Sequence, residues 1–137
     1  MTRMMMNYFG LVFMLAGVHN VNGQGGPAMV SVDAGRMLYE QNCLACHQAD
    51  GSGVPFLAPP LIEGVFVGGK KERLIEIVLN GMQDVEIKGE QYANPMPAFG
   101  YLGDREIADL LTYVRANFKN KGDAVTEEEV KTVRNKK

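Results

Sequence analysis

Cys43 and Cys46, the only two cysteines of the chain, stand three residues apart and are followed at once by a histidine, in Gln41-Asn42-Cys43-Leu44-Ala45-Cys46-His47-Gln48. Residues at this spacing on a helical turn project from nearly the same side, so both thiols can act on one edge of one ligand. A lone pair in an exported protein can also close as a disulfide. A redox-active C-x-x-C belongs with a βαβ pattern, and a structural zinc site with a second Cys/His pair; neither is present. C-x-x-C-H itself reads as covalent haem attachment. The two thiols then add to the vinyl groups along one porphyrin edge. His47 follows beneath the ring, where its imidazole can reach the iron.

The first residues suit such chemistry. Arg3 precedes an apolar run from Tyr8 to Val18 and a small-residue ending at Val21-Asn22-Gly23. That is the layout of a secretory signal peptide over 1–23. The run is about half of the roughly 20 residues a spanning helix needs, so a cleaved signal is expected rather than a retained anchor. No cysteine near the expected cleavage site offers a lipid attachment point. The expected mature protein begins near Gln24 and works in the periplasm, soluble or peripherally associated, with no stable membrane insertion. The whole sequence of 137 residues suits one domain. Fourteen Lys and Arg against sixteen Asp and Glu, with both signs spread along the chain, form no basic stripe. Nucleic acid is therefore not an expected partner, and electrostatic steering of any partner should be modest.

Only two histidines occur, and His19 falls in the segment expected to be removed. Counting then rules out a bis-histidine haem, and methionine becomes the natural second protein ligand. Met29, Met37, Met82 and Met96 lie beyond the signal. Met29 sits in a Gly/Pro-containing lead-in, and Met37 precedes Cys43 on the side His47 already serves. Met82 follows Asn80-Gly81 at a helix end. Met96 sits in Asn94-Pro95-Met96-Pro97, where the prolines fix φ and stiffen a loop that must hold a weak ligand, so Met96 is preferred. Core filling is the expected role of Met37 and Met82.

The remaining pattern is all-α. Residues 24–32 form a Gly-rich lead-in without periodicity, and the domain proper is expected over 33–137. Asp33 is expected to cap a helix to about Gln41, with Gly35 permitting close approach of another helix. A second helix is expected from Lys70 to Asn80, with a stripe of Leu74, Ile75, Val78 and Leu79 and a stop at Gly81. Asp104 should cap a third from Arg105 to about Phe118, with Ile107, Leu110, Leu111, Val114 and Phe118 on one face. Arg105, Glu106, Asp109 and Arg115 fall mostly off that face. Thr126-Glu127-Glu128-Glu129 forms a capping box ahead of Val130 and Val133, predicting a short terminal helix with a frayed basic end. Residues 48–69 and 82–101 read as loops of about 20 residues each, long enough to count against a compact domain. A haem resolves the conflict by giving them apolar surface to pack upon.

The stretch from Asp33 to Asn120 resembles the class I cytochromes c. Gly35 and Tyr39 look like the glycine and aromatic of that family's first helix, and Leu110 and Tyr113 like the apolar and aromatic positions of its last. The resemblance implies that these helices cross and close the haem pocket, with Tyr39, Leu110 and Tyr113 at it. Pro59-Pro60-Leu61 resembles the segment whose proline carbonyl accepts the Nδ1 proton of the ligand histidine. By that likeness Pro59 supports His47, with Pro60 as the one-residue alternative. Tyr92 through Phe99 is similar to the family's methionine loop, which again points to Met96. The tail from Asn120 to Thr126, with Val130 and Arg134, resembles small cytochromes and cytochrome modules associated with bacterial dehydrogenases and nitrite reductases. The lysine-rich docking surface of mitochondrial cytochromes is missing.

His47 and Met96 both bound would leave the iron no open position, favouring electron transfer over catalysis. A methionine ligand and an apolar pocket would make the carrier relatively oxidising. Expected partners are a periplasmic or membrane-bound dehydrogenase, a quinol-oxidising complex, and a terminal oxidase or reductase. The alternatives are a haem subunit of a dehydrogenase or oxidase complex and a five-coordinate haem enzyme or gas sensor. The last lacks a distal histidine. Because the loops depend on haem, Cys43→Ala/Cys46→Ala should yield a largely disordered chain; a cooperative helical melt of that variant without haem, followed by circular dichroism, would refute this.

Overall fold

The computed structural model describes residues 29–136. Ser31, not Asp33, caps the first helix: its hydroxyl accepts from the Ala34 N–H at 3.2 Å, and α1 runs Val32–Asn42. The Ser31 N–H also donates to Asp109 Oδ1 at 2.6 Å, and Val30 packs against the core. The ordered fold thus begins within the stretch read as a lead-in. Two distant groups that the local pattern does not register, the Asp109 carboxylate and the core, hold it. Residues 1–23 and the start of the lead-in lie outside the described residues.

The chain bends at Cys43 into a single-turn helix, α2 (Leu44–His47). After the first loop comes α3 (Lys71–Asn80), whose Leu74, Ile75, Val78 and Leu79 are buried as the stripe predicts and which Gly81 ends. The second loop differs from its expectation. It contains two short antiparallel strands, β1 (Val85–Ile87) and β2 (Glu90–Tyr92), pairing Val85 with Tyr92 and Ile87 with Glu90. The turn between them puts Lys88 at φ 54° and Gly89 at φ 82°, which matches a hairpin turn with two left-handed central residues. Three-residue strands are too short to write a readable alternation.

Helix α4 (Asp104–Ala116) starts from Gly103, whose N–H donates to Glu106 Oε2 at 2.7 Å. Ile107, Leu110, Leu111 and Val114 are buried as expected. Phe118, expected on the same face, lies beyond the helix in the left-handed region, φ 54°. Asn117 turns back to bond the Tyr113 carbonyl at 2.8 Å, and the Phe118 ring folds onto Tyr39 at 5.1 Å and Tyr113 at 5.8 Å. Asp109 and Arg115, placed off the apolar face by sequence, are 6% and 5% exposed. Arg105 pairs with Asp109 at 3.0 Å, while Arg115 donates to the carbonyls of Val67 (2.5 Å) and Asp123 (2.9 Å). A buried charge persists where such groups satisfy it.

The terminal helix, α5 (Glu127–Arg134), opens on the capping box read from sequence, with Thr126 and Glu129 bonded reciprocally. Its last turn is held by side-chain contacts. Arg134 binds Asp104 at 2.6 Å and the carbonyls of Gly100 and Leu102 at 2.8 Å, while Lys71 reaches Glu129 at 3.0 Å. Val130 is wholly buried between them and the core.

Helix α1 packs closely on α4 at Gly35. A Cβ at Gly35 would lie 2.0 Å from the Asp109 carbonyl oxygen and 2.7 Å from Tyr113 Cβ. Backbone cannot yield as a side chain can, so Gly35→Ala should cost about 3 kcal/mol, at the upper end of overpacking effects, read as a lowered midpoint in denaturant unfolding of the haem-loaded protein.

Candidate haem site

Helix α1 ends by presenting Cys43, whose N–H still donates to the Tyr39 carbonyl at 2.8 Å. The Cys43 carbonyl in turn accepts from Cys46 and His47, at 3.2 and 2.9 Å, and so starts α2. The two cysteines are not joined in a disulfide; Cys43 is half-buried and Cys46 exposed. Burial, reinforced by the neighbouring Cys46, pushes the Cys43 thiol up to about 12. His47 is 8% exposed.

The His47 Nδ1 lies 3.0 Å from the carbonyl oxygen of Pro59. A carbonyl only accepts, so Nδ1 carries the proton and Nε2 of the neutral ring keeps its lone pair. Burial lowers the imidazole below its ordinary pKa, against a smaller opposing effect of the Pro59 bond, which favours that neutral form. The loop fixes Pro59 rather than Pro60 at this point. Gly53 N–H donates to the His47 carbonyl at 3.1 Å, and Val54 and Ala58 exchange two bonds of 2.9 Å. Gly53 has φ +69°, and a Cβ on it would meet the Ala58 oxygen at 2.4 Å and Pro59 C and O at 2.8 Å.

Above these residues opens a cleft of two adjoining lobes, holding about 720 and about 610 Å³ of atom-free space, including that open to solvent. Cys43, His47, Pro59, Met82 and Met96 line both. Tyr39 and Leu110 line the first lobe, as does Pro60, and Cys46 the second. Tyr113 lines neither: it stands behind Tyr39, ring centroids 5.6 Å apart, and steadies that wall. The Tyr39 hydroxyl donates to the Gln48 carbonyl at 2.6 Å, tying α1 to the residue after His47. Sequence reasoning did not single out Phe66, Val67 and Ile77 for this wall, although the Leu74–Val78 stripe announced a face in need of cover.

The donor set fits a covalently attached haem. Two thiols sit at the rim of an apolar cleft, a neutral imidazole is oriented on its floor, and thioethers line it too. Comparison with known proteins agrees. The profile of the cytochrome c family matches residues 32–117. Cytochrome c-552 of Thermus thermophilus is 39% identical over 126 residues, covering 82% of each chain. The gluconate 2-dehydrogenase cytochrome c subunit of Pantoea cypripedii is 35% identical over 73% of this chain but only 24% of its own length. A cbb3-type cytochrome c oxidase subunit of Azospirillum brasilense is 35% identical over 61% of this chain and 28% of its own. The chain belongs to the cytochrome c family, as a class I c-type cytochrome with one covalently bound haem c, and its role is haem electron transfer.

Gly53→Ala should push the Pro59 carbonyl off His47. We expect solvent exchange of the Nδ1 proton to quicken about tenfold, the worth of one hydrogen bond, while the buried amides of Ile107 and Leu110 keep their protection in the same NMR experiment.

Proposed function

We propose that the haem is held by thioethers to Cys43 and Cys46, that its iron is ligated by His47 and Met96, and that the chain carries single electrons between exported or membrane-bound redox enzymes. The observation that carries this reading is the placement of His47, its Nδ1 committed to Pro59, and of Met96 on one apolar cleft. Pro59 holds the histidine's orientation and raises its basicity toward the metal. Met96 is chosen over Met82 because Pro95 and Pro97 stiffen its loop. Haem supplies a one-electron couple. The polypeptide supplies an apolar surround that favours the reduced form, two fixed ligands and exclusion of water.

With His47 and Met96 both on the iron there would be no open position for substrate, and the chain would act as a carrier rather than an enzyme. Residues 1–23 serve as the cleaved export signal, and the protein works in the periplasm. No helix among the described residues is long and apolar enough to cross a membrane. Donors are periplasmic or membrane-bound dehydrogenases or a quinol-oxidising complex, and acceptors terminal oxidases or reductases. A permanent haem subunit is the second reading, favoured by matches to cytochrome subunits of gluconate and fructose dehydrogenases.

Spectra test the ligands. The ferric wild-type protein should show the weak methionine-to-iron charge-transfer band, and Met96→Ala should shift or weaken it. A wild type without the band, or a band indifferent to the substitution, would remove Met96 from the iron. Co-purification with a dehydrogenase under mild extraction would favour the subunit over the shuttle.

A further inference from the structure

Met82 and Met96 face each other across an isolated antiparallel bridge. The Met82 N–H donates to the Met96 carbonyl at 3.1 Å, and the Met96 N–H to the Met82 carbonyl at 2.8 Å. Directly opposed residues of such a pair have Cβ atoms about 5 Å apart and project on the same face. Gly81 permits the approach: it has φ +77°, and a Cβ there would lie 2.6 Å from the Met96 oxygen.

The two side chains share more than a backbone contact. Both are half-buried, and both line both lobes of the cleft that His47 lines. Met29 and Met37, at 88% and 56% exposed, line neither lobe. Methionine is unbranched with three rotatable bonds, so its sulfur can be moved by rotamer change without moving the backbone. The bridge therefore anchors two soft sulfur donors side by side on one cleft wall, only one of which the iron can use at a time.

We propose that Met82 is a reserve axial ligand: when the Met96 thioether is withdrawn, Met82 Sδ takes the sixth position. The proposal rests on the His47/Met96 reading above. The exchange replaces one neutral thioether by another, so no charge, proton or electron is transferred. Its consequence is that the iron stays closed to water and peroxide, and keeps a sulfur ligand, when the methionine loop gives way.

The test compares haem-loaded, full-chain wild type, Met82→Leu, Met96→Leu and Met96→Leu/Met82→Leu. Leucine keeps an apolar side chain of similar volume and leaves the backbone bridge in place. We expect the charge-transfer band in wild type and Met82→Leu, a shifted and weaker band in Met96→Leu, and none in the double variant. Imidazole titration gives an independent reading. If Met82 occupies the iron about nine-tenths of the time in Met96→Leu, the apparent Kd there is about tenfold higher than in the double variant. The proposal is overturned if Met96→Leu lacks the band as completely as the double variant and binds imidazole equally well; the His47/Met96 reading then survives. A wild type without the band overturns both. An unaltered band in Met96→Leu also overturns both, since Met82 would then be the resident ligand. If Met96→Leu fails to accumulate, Met96→Ala provides the same comparison.

Discussion

The apolar cleft above His47 is the constraint on which the other elements depend. α1, α3 and α4 each turn a face toward it, and both long loops end on it, through Pro59 on one side and Met96 on the other. A polypeptide of this size buries a smaller share of its surface on folding than a large domain does. A covalent haem supplies apolar interior for the loops to pack upon. The attachment motif and the fold are thus one device. Cys43 closes α1 and opens α2, so on the proposed attachment the same turn of backbone would fix cofactor and helix together.

Around that cleft the structure is clamped by charged side chains aimed at backbone rather than at solvent. Arg115 gathers the carbonyls of Val67, Gly69 and Asp123, tying the first long loop to the segment after α4. Arg134 does the same for Gly100 and Leu102 and adds the Asp104 carboxylate. Asp109 accepts from Ser31 N–H and pairs with Arg105, fixing the start of α1 against α4. Such bonds are strong where one partner is charged, and they give the loops a set conformation that hydrophobic contact alone would leave loose. A rigid surround suits an electron carrier, because an iron whose ligands and pocket keep their places changes charge with little rearrangement.

The methionine pair belongs to the same economy. The bridge between Met82 and Met96 joins the end of α3 to the loop before α4. It holds Met96 from the backbone while the flanking prolines restrict it from the sides. On the proposed His47/Met96 ligation, position rather than bond strength would keep the thioether at the iron.

Much of this was legible in the sequence. Cys43, Cys46 and His47 stand in one short string, so local spacing alone pointed to the covalent haem c that the family match supports. Leu74–Val78 and Ile107–Val114 announced their helices because one buried face repeats at the helical period. Thr126 and Glu129 announced their cap because both partners lie within one turn. What only the tertiary structure decided were the features made by residues far apart in the chain. Ser31 displaced Asp33 as a cap because Asp109 comes to meet it. Phe118 left the helix because Tyr39 and Tyr113 offer its ring a surface. Arg115 and Asp109 are buried because loops bring partners to them. Met82 met Met96 because the turn at Gly81 lays their backbones side by side. Periodicity and spacing record a residue's near neighbours, whereas a hydrogen bond to a distant carbonyl leaves no pattern in the string that encodes it.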